Sequence, residues 1–158
     1  MGLTNWDEDS ASFESLSAEE LRQPAVLVAT LTKAASLYNA GIPRGHFDLI
    51  IIDEAGQALE PEAVAPVGAL LGPRGQLVVA GDPRQLGPIV HHDLAKEHGL
   101  GVSFLERLME RSLYQPEYDA RVMTKLLRNY RSHPTLLELP NRLFYANELV
   151  GPSSALDP

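Results

Sequence analysis

The residues best suited to chemistry in this chain are two adjacent acids, Asp53 and Glu54. They close the run Phe47-Asp48-Leu49-Ile50-Ile51-Ile52 and are followed by Ala55-Gly56-Gln57. Side-by-side carboxylates suit a hard divalent cation such as Mg²⁺, which prefers oxygen ligands, and a water that must give up a proton. The same pair also fits an acidic strand-to-helix turn with no chemistry, Glu54 being favoured near a helix N-terminus. Gln85 and Arg131 are the other polar groups of interest. The first lies in Gly81-Asp82-Pro83-Arg84-Gln85-Leu86-Gly87-Pro88 and the second in Asn129-Tyr130-Arg131-Ser132-His133-Pro134. Alone, each has an ordinary reading, Gln85 as a loop amide and Arg131 as a surface ion pair. The set His91-His92-Asp93 offers ligand atoms, but adjacent histidines diverge, so a metal is not expected there. A metal-dependent hydrolase built on Asp53, Glu54 and Asp82 ranks below the readings developed next.

These residues need elements to hold them. Leu49 to Ile52 shows no polar alternation, so residues 47–52 are expected to form a central parallel strand buried on both faces. Residues 25–29 (Ala-Val-Leu-Val-Ala) and 76–80 (Gln-Leu-Val-Val-Ala) form two more expected strands, and residues 122–127 a weaker fourth. A helix is expected over 31–39 with Leu31, Ala34, Ala35 and Leu37 turned inward. Another opens at Glu60-Pro61-Glu62 and stops at Gly72-Pro73-Arg74-Gly75. Residues 81–88 hold two glycines and two prolines and are expected to be a rigid loop. Ser103-Phe104-Leu105-Glu106 has the capping-box pattern. Ser132 is expected to cap a last helix, broken near Pro140. Alternation of strand and helix implies an α/β fold with a parallel sheet flanked by helices. Thr30, Asp53 with Glu54, and Asp82 with Gln85 would then meet at the carboxyl edge, where ligands of such sheets bind.

Composition narrows the class. The chain has 158 residues, 44% of them hydrophobic, which suffices for one core. No apolar run reaches the about 18 residues of a membrane span, and no secretory or transit leader is visible. Cysteine is absent, which excludes disulfides and thiolate metal sites and fits a reducing compartment. The net charge of −8 argues against nucleic acid, but it is unevenly spread. Residues 1–23 carry six acids and one base, and are expected to be an acidic flexible leader. Residues 121–142 carry five bases and one acid, and could face phosphate.

Taken together, the motifs resemble those of superfamily 1 helicases of the Upf type. Asp53-Glu54-Ala55-Gly56-Gln57 resembles their Walker B segment, and 81–88 their motif III. Asn129 to Pro134, with Leu143-Phe144-Tyr145, resembles the opening of their second RecA-like domain. The phrases HFDLIIIDEAGQALEPE, GQLVVAGDPRQLGPIV and TKLLRNYRSHP look most like the Armitage-type RNA helicases of small-RNA silencing. Val26 to Leu31 is similar to a nucleic-acid-contacting segment of that family. The resemblance covers roughly residues 24–150.

The resemblance implies a partial P-loop NTPase core. The end of a first RecA-like domain would occupy residues 24–120, and the start of a second residues 121–158. It implies ATP and Mg²⁺ as cofactors, with Asp53 holding the metal and Glu54 polarising the attacking water. Gln85 would sense the γ-phosphate, Arg131 would be an arginine finger, and Gln57 would hydrogen-bond within the site. Thr30, Thr32 and Pro88 would lie along RNA. It further implies 5′ to 3′ unwinding of RNA in cytoplasmic silencing or decay, with proteins of those pathways as partners and no membrane. No Gly-x-x-x-x-Gly-Lys-Ser/Thr occurs. The expectation is therefore a piece of a larger helicase, inactive on ATP as written. The alternative is a non-catalytic module that binds RNA or a partner.

Overall fold

The computed structural model describes the backbone of residues 6–7 and 12–13, and residues 16–115 and 119–151 in full. The chain forms two compact units, Met1–Leu108 and Met109–Pro158.

The first unit is organised by strand β3, Phe47–Ile52, and strand β4, Leu71–Val79, which pair in parallel across helix α3, Glu60–Leu70. Ile50 faces Leu77, Ile51 faces Val78 and Ile52 faces Val79. The β-branched run favours this pleated geometry, and α3 supplies the crossover that parallel strands need. Helix α3 carries Pro61 in its first turn, with Glu60 and Glu62 where the helix dipole favours acids. Two earlier strands, β1 at Trp6–Asp7 and β2 at Ser12–Phe13, form an antiparallel pair.

Helix α1, Ala18–Arg22, begins at a capping box in which Ser17 and Glu20 bond reciprocally. The Ser17 bonds hold the Glu20 carboxyl below its ordinary range. Helix α2, Leu31–Ser36, turns Leu31, Ala34 and Ala35 inward, and Leu37 just after it is buried. Leu37, Ile42 and Leu70 form the core cluster, with Leu21, Leu27, Ala34, Phe47, Ile50 and Ala69 packed on it. Helix α4, Asp93–Ala95, runs into a wider turn, Lys96–Leu100, whose helical geometry breaks at His98 and Gly99. Helix α5, Phe104–Met109, buries Phe104 and Leu105, and Ser103 Oγ accepts from the Glu106 N–H at 3.1 Å.

Several expectations change. Residues 25–29 form no strand: Val26 and Val28 are 78% and 93% exposed, and only Leu27 reaches the core. Apolar composition there lacked the pairing partner that makes a run into a strand. β3 is covered on one face only. Ile50 and Ile52 lie on the helix side, while Leu49, Ile51 and Val78 remain exposed on the other. Residues 72–75 interrupt β4 as a bulge rather than preceding it, because Leu71 already pairs with Phe47 before pairing resumes at Gln76. Residues 122–127 are not a strand, and Leu126 is 86% exposed. An isolated bridge of Arg128 with Val150 is what remains of that pairing.

The second unit is built on helix α6, Pro134–Phe144. His133, not Ser132, caps it, its Nδ1 accepting from the Thr135 N–H at 3.3 Å. The helix continues through Pro140, where the ring forfeits a single backbone bond.

Candidate active site

The carboxyl end of β3 turns sharply. Asp53 Oδ1 accepts from the Glu54 N–H at 3.0 Å, and Glu54 itself sits at φ 52°, in the left-handed region. The turn closes with the Gln57 N–H donating to the Glu54 carbonyl at 2.9 Å. The sheet ladder does not stop at the named strands. Ala80 N–H donates to Ile52 O, and Ala55 N–H to Ala80 O, both at 2.8 Å. The loop starting at Gly81 is thereby stitched to the turn carrying the acids.

Two glycines permit this approach. A Cβ on Gly56 would stand 2.7 Å from the Asp82 carbonyl oxygen, and one on Gly81 would stand 2.9 Å from the nitrogens of Ala55 and Gly56. Real Cβ atoms do not tolerate such distances. Gly56→Val should therefore destabilise the chain by about 1–3 kcal/mol through overpacking against backbone. Gly68→Ala should do the opposite, by about 0.5–1 kcal/mol, because Gly68 lies in α3 with nothing within 4 Å of an added Cβ. Thermal unfolding of the two variants against the parent checks both signs.

The junction places Asp53, Glu54 and Gln85 at one edge of the first unit. Gln85 Nε2 donates to Asp82 Oδ2 at 2.9 Å, and Asp82 Oδ1 accepts from the Arg84 N–H at 2.9 Å. Asp82 thus shapes the loop and holds the glutamine's amide. The sequence placed Asp82 at the edge and in a lower-ranked metal site, not as the partner of Gln85, though Asp-x-x-Gln spacing was the available signal. Ala55, Gly56 and Ala58 are buried beneath, whereas Asp53, Glu54, Gln57 and Gln85 are exposed. Exposed carboxylates on a buried, doubly bonded turn can meet a polar ligand without moving their backbone.

Helix α5 supports the junction from behind, a role its capping pattern did not announce. Leu59 bridges Ser103, the Phe104 N–H donates to Ala58 O at 3.2 Å, and Ser103 is 1% exposed. Leu105 lies against Gly81. Arg107 Nε stands 2.7 Å from Glu60 Oε2 without hydrogen-bond alignment. Both side chains are more than a third exposed, so this pair adds little stability.

The remaining candidates stand elsewhere. Thr30 is the N-cap of α2, its Oγ1 accepting from the Lys33 N–H at 3.3 Å, rather than the end of a strand. Thr32 is exposed on α2, and Pro88 is half-buried in the loop. Arg131 belongs to the second unit. It is exposed, and its guanidinium has no protein partner among the described residues. The basic stretch is weaker than its composition. Arg121 pairs with Asp119 at 2.5 Å, which holds that carboxyl below its usual range, and Lys125 pairs with Glu148.

Among the described residues no three His, Asp or Glu side chains gather closely enough to hold a metal, Asp53, Glu54 and Asp82 included. Mg²⁺ bound with a nucleotide asks less, since one or two carboxylates suffice when waters and phosphates supply the other ligands. Asp53, exposed and with Oδ2 unpartnered among the described residues, fits that requirement. No helix among the described residues is long and apolar enough to cross a membrane.

The AAA domain family matches residues 4–93, more than half the chain. A Danio rerio protein bearing the helicase name mov-10-B.1 is 53% identical over 136 residues, covering 83% of this chain and 13% of the relative. The chain belongs to the superfamily 1 helicases of the Upf type. Two further relatives place it with the Armitage-type members of that family. RNA helicase Mov10l1 of Homo sapiens is 47% identical over 133 residues, covering 78% of this chain and 11% of the relative. The Drosophila melanogaster protein armi, also carrying an RNA helicase name, is 43% identical over 134 residues, 79% of this chain and 11% of its own length. The chain spans only 11% to 13% of the lengths of these helicases. In the Upf-type frame the parallel β3–α3–β4 unit is part of a RecA-like α/β fold.

Proposed function

We propose that this chain carries the hydrolytic edge of an ATP-dependent RNA helicase that couples ATP hydrolysis to 5′ to 3′ RNA unwinding. The observation that carries the proposal is the stitched junction of β3 and β4, which sets Asp53 and Glu54 beside the loop of Gln85. Phosphoryl transfer asks for positioning and for charge at the departing γ-phosphate more than for covalent chemistry. Asp53 would hold Mg²⁺ through bound water, and the ion, when present, supplies positive charge to the β- and γ-phosphates. Glu54 accepts a proton from the attacking water. Gln85, bonded to Asp82 at 2.9 Å, would turn its amide to a γ-phosphate oxygen. Gln57 bonds within the site. Arg131 brings a fixed positive charge in a forked geometry. Thr30, Thr32 and Pro88 meet RNA, with contacts that carry no sequence preference. Proteins of cytoplasmic RNA silencing or decay are the expected partners.

The test uses human RNA helicase Mov10l1 with this chain's residues in place of its matching stretch. The graft should hydrolyse ATP faster when RNA is added, and should unwind a duplex with a 5′ single-stranded tail in preference to a 3′ tail. A graft that binds RNA but shows no RNA-stimulated hydrolysis would refute the proposal.

A further inference from the structure

The turn that carries Arg131 is held by side-chain amides. Asn129 Oδ1 accepts from the backbone N–H of Arg131 at 3.0 Å and of Ser132 at 2.8 Å. The Asn129 N–H donates to Val150 O, and the Val150 N–H to Leu127 O, both at 2.8 Å. Val150 is in turn placed by a second amide. Asn141, on α6, donates from Nδ2 to Leu149 O and accepts at Oδ1 from the Leu149 N–H, both at 2.9 Å. A continuous chain of bonds therefore runs from α6 through Asn141, Leu149, Val150 and Asn129 to the backbone of Arg131.

Such a chain matters where an arginine must meet a phosphate from a segment with little regular structure. A free loop pays ordering entropy when the contact forms, and small misplacements of a catalytic charge are costly. A backbone already fixed on both sides of the arginine avoids that cost. We propose that Asn129 is a positioning residue for Arg131 in ATP hydrolysis, its side-chain oxygen fixing the turn from which the guanidinium reaches the transferring phosphate. This rests on the arginine-finger reading of Arg131. The bland alternative is that Asn129 serves only to fold the second unit.

In the Mov10l1 graft, Asn129→Ala should lower kcat for ATP about 10- to 100-fold with KM within about twofold. Asn129→Asp should recover most of the loss, because a carboxylate oxygen accepts the same two N–H groups. Combined with Arg131→Ala, Asn129→Ala should cost nothing further, since it acts only through the residue it positions. In the 158-residue chain itself, the Arg131 and Ser132 amides should lose exchange protection in Asn129→Ala and keep it in Asn129→Asp. That measurement stands even if a grafted variant fails to fold. Unchanged amide protection in Asn129→Ala would overturn the inference. So would an unchanged kcat, or losses that add to those of Arg131→Ala. If Arg131→Ala were itself fully active, the arginine-finger reading would fall first and this inference with it.

Discussion

Arg131→Ala should cut ATP turnover by about 10³- to 10⁵-fold, the span reported for loss of an arginine finger. The measurement is steady-state hydrolysis by the Mov10l1 graft with saturating RNA. The structure separates this effect from misfolding. Arg131 is exposed and its guanidinium bonds to nothing among the described residues, so its removal should move stability by no more than about 0.5 kcal/mol. Its backbone N–H, which Asn129 holds, survives the substitution. Arg131→Lys should recover little, because an ammonium is a point charge and cannot donate in the planar fork. A large loss with unaltered unfolding temperature supports the role. A turnover within a few-fold of the parent would remove it.

The edge that gathers the candidate residues was legible in the sequence where motifs set residue type. Asp53, Glu54 and Gln85 were named from their motifs, and the structure sets all three at one edge. What escaped was the bonding by which neighbouring residues hold the candidate residues. Asp82 binds Gln85 at 2.9 Å, Ser103 is buried behind the turn, and Asn129 caps the turn of Arg131. Each works through a bond to backbone or to a residue a few positions away. Asp, Ser and Asn make such bonds in many loops, so composition alone does not separate these instances from the rest.

The fold was legible where local signals agreed. The β-branched run of β3, the Glu60-Pro61 helix start and the Ser103 cap all reinforce one another. Residues 25–29 have the same apolar run as β3 but no partner strand, and pairing cannot be read from a single segment. The same holds for residues 122–127, where Lys125 turns to Glu148 and the chain touches Val150 by one bridge. The exposed face of Leu49, Ile51 and Val78 shows the limit of the burial inference. A run without polar alternation says that a strand tolerates burial on both sides, not that both sides are covered.

Glu54 supports the sharpest contrast between stability and activity. It is a non-glycine residue at φ 52°, a conformation that costs an L-residue about 1–2 kcal/mol. The surrounding bonds, from Gln57 N–H to Glu54 O and from Ala55 N–H to Ala80 O, force that conformation. Glu54→Gly would relieve the strain but add flexibility to the unfolded chain, so its net stability change should lie between about 0 and +1 kcal/mol. Glu54→Gln keeps shape and strain and should leave the unfolding temperature unchanged. In the Mov10l1 graft both should lower hydrolysis by the about 10²- to 10⁴-fold that a positioned general base contributes. Glu54→Val should fail in both respects, since a β-branched side chain resists positive φ. If glycine there leaves the fold at least as stable and turnover falls by that factor, the strain at Glu54 is retained for chemistry. If Glu54→Gly were instead less stable than Glu54→Gln, the turn would be a structural feature, and the carboxylate's position would owe nothing to selection for catalysis.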